Sequence, residues 1–239
     1  MNKEEFYNLL EKNLKIFLTD DQKKQLNSFA NILIDYNKHT NITAITDIND
    51  IYLKHFYDSL TLVNVIDLSK KMSVLDVGSG GGFPGIVLAV MYPNLNITLL
   101  DSNNKKSKFQ ELVVQKLSLS NVVVINDRAE NFFKNSKKFD LVVARAVANM
   151  SILAELCIPF VNINGYFIAM KGKDNLELKE SEQAVEFLGG KIENKVSIKL
   201  PITNDDRTLV TIIKIKNTPV GYPRVYDKIL KKPLKNIQK

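Results

Sequence analysis

Residues 73–85, Ser-Val-Leu-Asp-Val-Gly-Ser-Gly-Gly-Gly-Phe-Pro-Gly, hold five of the ten glycines in the chain and constrain its fold more than any other stretch. The apolar run Val74-Leu75-Asp76-Val77 breaks into glycine and resumes as Ile86-Val87-Leu88-Ala89-Val90, a helical pattern. Strand, tight turn and helix in that order predict a unit whose backbone lies bare against a bound molecule. Glycine permits positive φ and removes the Cβ that would hold a ligand away. The start of the helix is expected to add free N–H groups and a partial positive charge.

Two ligand classes compete for such a turn. Gly80, Gly82 and Gly85 satisfy GxGxxG, the fingerprint of a dinucleotide site. In that motif the first glycine follows the strand directly, because the pyrophosphate sits on the turn. Here an acid, Asp76, stands in the strand two residues before Gly78. A carboxylate repels a pyrophosphate and suits a cationic ligand that carries an amino acid. S-adenosylmethionine is such a ligand. The register favours the methyl donor, with an NAD-dependent oxidoreductase as the alternative.

Further apolar runs follow at the spacing of a doubly wound sheet. Strands are predicted at 97–101, 122–125, 139–144 and 165–170, with helices over 105–117, 150–160 and 175–188 between and after them. Asp101 closes the second strand, about twenty residues past the glycines, where nucleotide folds place the acid that binds ribose hydroxyls. Asn126-Asp127-Arg128-Ala129-Glu130 closes the third and suits an adenine edge, and Arg145 ends the fourth. Residues 192–200 and 207–215 read as an antiparallel hairpin, since no helix separates them. The expected class is α/β, a Rossmann-like S-adenosylmethionine-dependent methyltransferase fold with an N-terminal helical extension.

Residues 1–66 form that extension, with helices over 3–17, 20–36 and 48–65; 67–216 are the Rossmann-like domain and 217–239 a basic tail. Thr19 and Gln22 fit a capping box, and Leu26, Phe29, Ala30, Leu33 and Ile34 recur as a core-facing stripe. The only histidines are His39 and His55, too few for a metal site without clustered cysteines. His55 and Asp58 lie one turn apart, either as a helix-surface pair or as site-lining groups. Cys157 is the lone cysteine, expected as a small buried hydrophobe. No run approaches a membrane span and no leader opens the chain, so a cytoplasmic monomer is expected.

The net charge of +7 is uneven: from Asn217 onward six cations stand against Asp227 alone, a net of +5. Pro219, Pro223 and Pro233 prevent a long helix there, and Tyr222 and Tyr226 interleave with the cations. Such a tail is either a solvated end or a surface for a polyanion, RNA or DNA.

Over nearly its whole length the chain resembles the ribosomal small-subunit methyltransferase G family. The matching motifs are Tyr36-Asn37-Lys38, Asn41-Ile42-Thr43, His55-Phe56-x-Asp58-Ser59-Leu60, and the glycine stretch Asp76 to Gly85 with its Phe83-Pro84-Gly85 ending. They continue through Leu100-Asp101-Ser102, Arg128-Ala129-Glu130, Ala144-Arg145-Ala146, Lys171-Gly172, Tyr222-Pro223-Arg224 and Lys232-Pro233-Leu234. The resemblance implies methylation of N7 of one guanine in the 530 loop of 16S ribosomal RNA, with S-adenosylmethionine as cofactor and 16S rRNA or the small ribosomal subunit as partner; an S-adenosylmethionine-dependent methyltransferase of another substrate is the alternative. It also implies a cofactor site at Gly78, Phe83, Ala129, Glu130 and Arg145. Joined to the strand-end reading, it places Asp76 and Gly78 at the methionine end, Asp101 at the ribose, and Ala129 and Glu130 at the adenine. Gly80 and Ser102 complete the set, and Arg145 closes the site or positions the target nucleotide.

Overall fold

The computed structural model describes residues 1–145, 149–172 and 177–234. Ala146, the expected helix start at 175 and the last five residues of the basic tail lie outside the described residues. Seven strands form one sheet: β1 (Ser73–Val77), β2 (Asn96–Asp101), β3 (Val122–Asn126), β4 (Phe139–Arg145), β5 (Val161–Lys171), β6 (Gly190–Lys199) and β7 (Asp206–Lys214). Their order is β3-β2-β1-β4-β5-β7-β6. β1 to β5 run parallel, whereas β7 pairs antiparallel with both β5 and β6. The expected hairpin is therefore present, and its second strand is the one inserted next to β5. Strand order reverses between β1 and β4, and ligands of open parallel sheets bind beyond the carboxyl ends at such a point.

The central strands are apolar on both faces because helices cover both. Leu75 of β1 and Val142 of β4 face one core with Met150, Leu153 and Ala184, while Val74, Leu141 and Val143 face the other. Onto that second face the N-terminal helices pack. The helix Asp20–Asn37 opens with a complete capping box between Thr19 and Gln22. It buries Leu26, Phe29, Ala30 and Leu33 completely and leaves Ile34 half-buried. These side chains share one continuous core with Ile86, Leu99, Phe109 and Ile168. The helical segment 48–64 continues the layer; its Ile51–Tyr57 stretch is π-helical and carries His55. Cys157 is fully buried.

The described part of the tail is neither a solvated end nor a free arm. Between Pro223 and Pro233 it forms a short helix, Tyr226–Lys231, whose Ile229 is fully buried. Leu234 joins the core on the first sheet face, with Leu75 and Val142, and Tyr222 meets Phe187 edge-on at 5.1 Å. Arg224 grips Glu155, itself fully buried, through Nε at 2.8 Å and Nη2 at 2.6 Å. The alternation of cations and tyrosines reads as an exposed patch; in the fold, one cation neutralises a buried acid and both rings are half-buried.

Candidate active site

The glycine stretch runs from the end of β1 into the helix Gly85–Met91 at the switch point. Its amides are largely committed within the protein. Gly78 and Ser79 donate to the Leu100 carbonyl, Gly82 and Phe83 to the Ser79 carbonyl, and Gly80 to Asp101 Oδ2 at 2.8 Å. Gly85 donates to Asp76 Oδ2 at 2.8 Å, and Ile86 to the Gly82 carbonyl. The expectation of free N–H groups at the helix start is thus corrected, because Asp76 occupies that position from beneath. A loop spent on its own acceptors is a poor cradle for phosphate.

Asp76 is fully buried and lines none of the clefts at the sheet end. Burial raises its carboxyl to about 7, against the pull of the Gly85 amide and Arg145, and among the described residues its Oδ1 has no hydrogen-bond partner. It therefore shapes the loop from below. Gln110, which the sequence reading missed, supports the loop from the side through Ser79 Oγ at 2.8 Å and the Gly80 carbonyl at 2.7 Å.

A cavity of about 260 Å³ opens at the ends of β1, β2 and β3. Gly78, Asp101, Ser102, Ala129 and Glu130 line it, as the strand ends predicted, together with Asp127 and Arg128. Its apolar walls are Val77, Leu100, Leu153 and Leu156, and the tail contributes Tyr226. Asp101 accepts from Gly80 and Asn103, both at 2.8 Å, so each oxygen keeps a lone pair for a ligand hydroxyl. Glu130 Oε1 accepts the Tyr226 N–H at 3.1 Å, which docks the tail on the cavity rim. Three carboxylates face one guanidinium, a lining that opposes a pyrophosphate and tolerates a sulfonium and an ammonium. The residues present fit S-adenosylmethionine and not a dinucleotide.

Beyond Gly78 the cavity meets a second pocket of about 350 Å³, lined by Gly78, Gly80, Phe83, His55 and Arg145 among others. Its wall is a tight polar stack. The His55 ring lies on Phe83 at 4.1 Å with planes 10° apart, and the Arg145 guanidinium sits 5.1 Å from the same ring. Arg145 Nη2 is 2.9 Å from His55 Nδ1 and Nη1 donates to the Lys54 carbonyl at 2.9 Å. Because arginine only donates, Nδ1 is the acceptor, and the ring proton sits on Nε2, 3.0 Å from Thr43 Oγ1. Burial and the neighbouring guanidinium push the His55 pKa down to about 3. Asp58, 4 % exposed, accepts from Arg145 at 3.3 Å and from Arg207 at 3.1 Å. His55 and Asp58 thus line the site; the helix-surface alternative does not hold.

Comparison with known proteins shows the family and the fold. A family model described as rRNA small subunit methyltransferase G matches residues 22–209. The chain belongs to this family. The protein named ribosomal RNA small subunit methyltransferase G from Lactobacillus johnsonii is 45% identical over 223 residues, covering 91% of this chain and 93% of that one. Its namesake from Desulforamulus reducens is 42% identical over 227 residues, covering 93% and 95%. Among solved structures, a methyltransferase from Pyrococcus furiosus superposes with a TM-score of 0.55 at 14% identity, covering 83% of this chain and 100% of that one. Fibrillarin from Aeropyrum pernix, solved with natively bound S-adenosyl-L-methionine, superposes with a TM-score of 0.54 at 13% identity, covering 66% and 73%. At these identities the two superpositions establish the methyltransferase fold of a member of this family. Among the described residues no three metal-binding side chains cluster, and no helix is long and apolar enough to cross a membrane.

Proposed function

We propose that this protein transfers the methyl group of S-adenosylmethionine to N7 of a guanine in the 530 loop of 16S ribosomal RNA, with the small ribosomal subunit as its partner. Membership of the family over residues 22–209 carries the reading, and the acid-lined cleft supports the cofactor. Asp101 would hold the ribose hydroxyls, with Ser102 beside it, while Ala129 and Glu130 frame the adenine against Leu153 and Leu156. Gly78 and Gly80 would leave room for the methionine end, on a loop whose shape Asp76 maintains. Phe83 acts through the wall it builds with His55 and Arg145.

Bound there, S-adenosylmethionine supplies an electrophilic methyl group. Guanine N7 offers a lone pair and has no proton to lose, so the chain need not act as a general base. His55 agrees with that demand, since both ring nitrogens are engaged and its pKa of about 3 keeps it neutral at working pH. The protein's contribution is alignment of the two reactants and exclusion of water. Arg145, fixed by three acceptors, would close the methyl side of the site and position the incoming nucleotide.

The first test is calorimetry. Asp101→Ala should lower S-adenosylmethionine affinity about tenfold to a hundredfold, the worth of hydrogen bonds to a charged group; unchanged affinity would remove Asp101 from the site. Wild-type protein should show no NAD binding. In a strain lacking the gene, the 530-loop 7-methylguanosine should disappear from 16S rRNA and return with the wild-type gene.

A further inference from the structure

We infer that the pocket beyond the His55–Arg145 wall is a phosphate clamp that holds the RNA backbone beside the target guanine, with Arg207 as its principal ligand-facing cation. This rests on the methyltransfer reading and names what the same site does to its second substrate. The pocket, about 350 Å³, is lined by Lys54, Asp58, Arg145 and Arg207, with Met170 and Lys171 at the end of β5. His55 and Arg145 also line the pocket beside Gly78 and Gly80. The two spaces therefore meet at one wall, on the methyl side of the cofactor cleft.

Its charge is opposite to that of the adenosine cavity. Four cations line it against one lining carboxylate, Asp58; Lys54 is also paired with Asp50 behind it at 3.0 Å, and His55 is held neutral. Asp58 is shared: one oxygen takes Arg145 and the other takes Arg207, so the two guanidiniums are pinned on either side of it. Arg207 uses Nε on Asp58 and Nη1 on the Asp206 carbonyl, and among the described residues its Nη2 has no partner. A guanidinium fixed by two bonds and still offering N–H groups matches a phosphate better than a neutral base, since planar donors pair with its oxygens. Methylated guanine is itself cationic, which again assigns these charges to the backbone and not to the ring. A base drawn out of an RNA loop needs such an anchor, because the phosphate fixes how far N7 can reach.

Arg207 lies at the start of β7, on none of the elements that frame the adenosine cavity, and reaches Arg145 only through Asp58. With unmethylated small subunits as substrate, Arg207→Gln should raise KM about tenfold and reduce the log–log salt slope by about one. The S-adenosylmethionine Kd by calorimetry should stay at the wild-type value. Arg207→Lys should restore the salt slope, and Lys54→Gln should repeat the KM effect in a variant that leaves Asp58 paired. Wild-type KM and salt slope in both charge-removing variants would overturn the clamp, as would a parallel loss of cofactor affinity in Arg207→Gln. If the wild-type enzyme binds the cofactor yet leaves the guanine unmodified, the methyltransfer reading fails first and the clamp falls with it.

Discussion

A methyl group added at Gly78 meets no heavy atom within 4 Å, whereas one added at Gly82 lands 2.3 Å from Ile86 Cδ1. Both residues have positive φ, 71° and 87°, so either substitution strains the backbone by about 1 kcal/mol. Only Gly82→Ala adds a clash on top, and it should lower stability by a further 1–3 kcal/mol or so in denaturant unfolding. Gly78→Ala should instead keep most of the stability and lose cofactor affinity by calorimetry, because it adds bulk to open space on the wall of the proposed cofactor cavity. Equal affinity in Gly78→Ala and wild type would mean that the ligand does not pass this glycine. In the sequence both glycines are equally members of one motif. Which of them faces open space and which meets Ile86 depends on where the following helix returns.

At the scale of elements, the C-terminal segment 217–234 is fixed at two points. It brings Tyr226 to the adenosine cavity through the Glu130 contact, and it is fastened by the Arg224–Glu155 pair. Glu155 is fully buried, so removal of the guanidinium leaves its charge uncompensated, with only the backbone N–H of residue 224 still donating to it. Arg224→Ala should destabilise the protein by about 3 kcal/mol and weaken S-adenosylmethionine binding as Tyr226 loosens. Urea unfolding with and without cofactor measures both effects; wild-type stability would show that this fastening is dispensable. Exposed Lys228, Lys231 and Lys232 stay available to a polyanion on the same element. The six-cation count of the tail was legible in the sequence; the one that faces inward was not, because its buried partner lies 69 residues away in the chain.

The helix carrying His55 shows a similar limit. Its boundaries over 48–65 follow from apolar periodicity, but the π-helical stretch Ile51–Tyr57 changes the phase of its faces. An ordinary helical wheel cannot place His55 and Asp58 against Arg145, 90 and 87 residues away. By contrast the capping box of the preceding helix, a local device, is read directly from Thr19 and Gln22.

On the scale of the whole molecule, the N-terminal helices and the methyltransferase sheet share one core. Phe29 stacks on Phe83 of the glycine stretch at 5.1 Å and on Phe56 of the segment 48–64 at 5.4 Å. A chain beginning at residue 67 would expose that face of the sheet and lose His55 and Asp58 together. It should fail to unfold cooperatively in thermal melts followed by near-UV circular dichroism, and it should not bind S-adenosylmethionine. A cooperative melt for the shortened chain would refute this shared-core account.

The strands, their parallel direction through β5, the terminal hairpin and the charged residues at the strand ends, Asp101 ending β2 and Arg145 ending β4 among them, were determined by the sequence, since periodicity, glycine and strand-end chemistry act over a few residues. The choice of a methyl donor over a dinucleotide was also legible in the register of Asp76. Only the tertiary structure decided how that residue acts: its carboxylate faces the Gly85 amide beneath the loop, and this blocks a phosphate cradle. Likewise, only folding brought the Arg145–His55–Phe83 wall and the Arg207–Asp58 pair together. Hydrogen bonds and burial between distant segments leave no periodic trace in the chain, so these contacts exist only once the sheet and its helical layer have closed on each other.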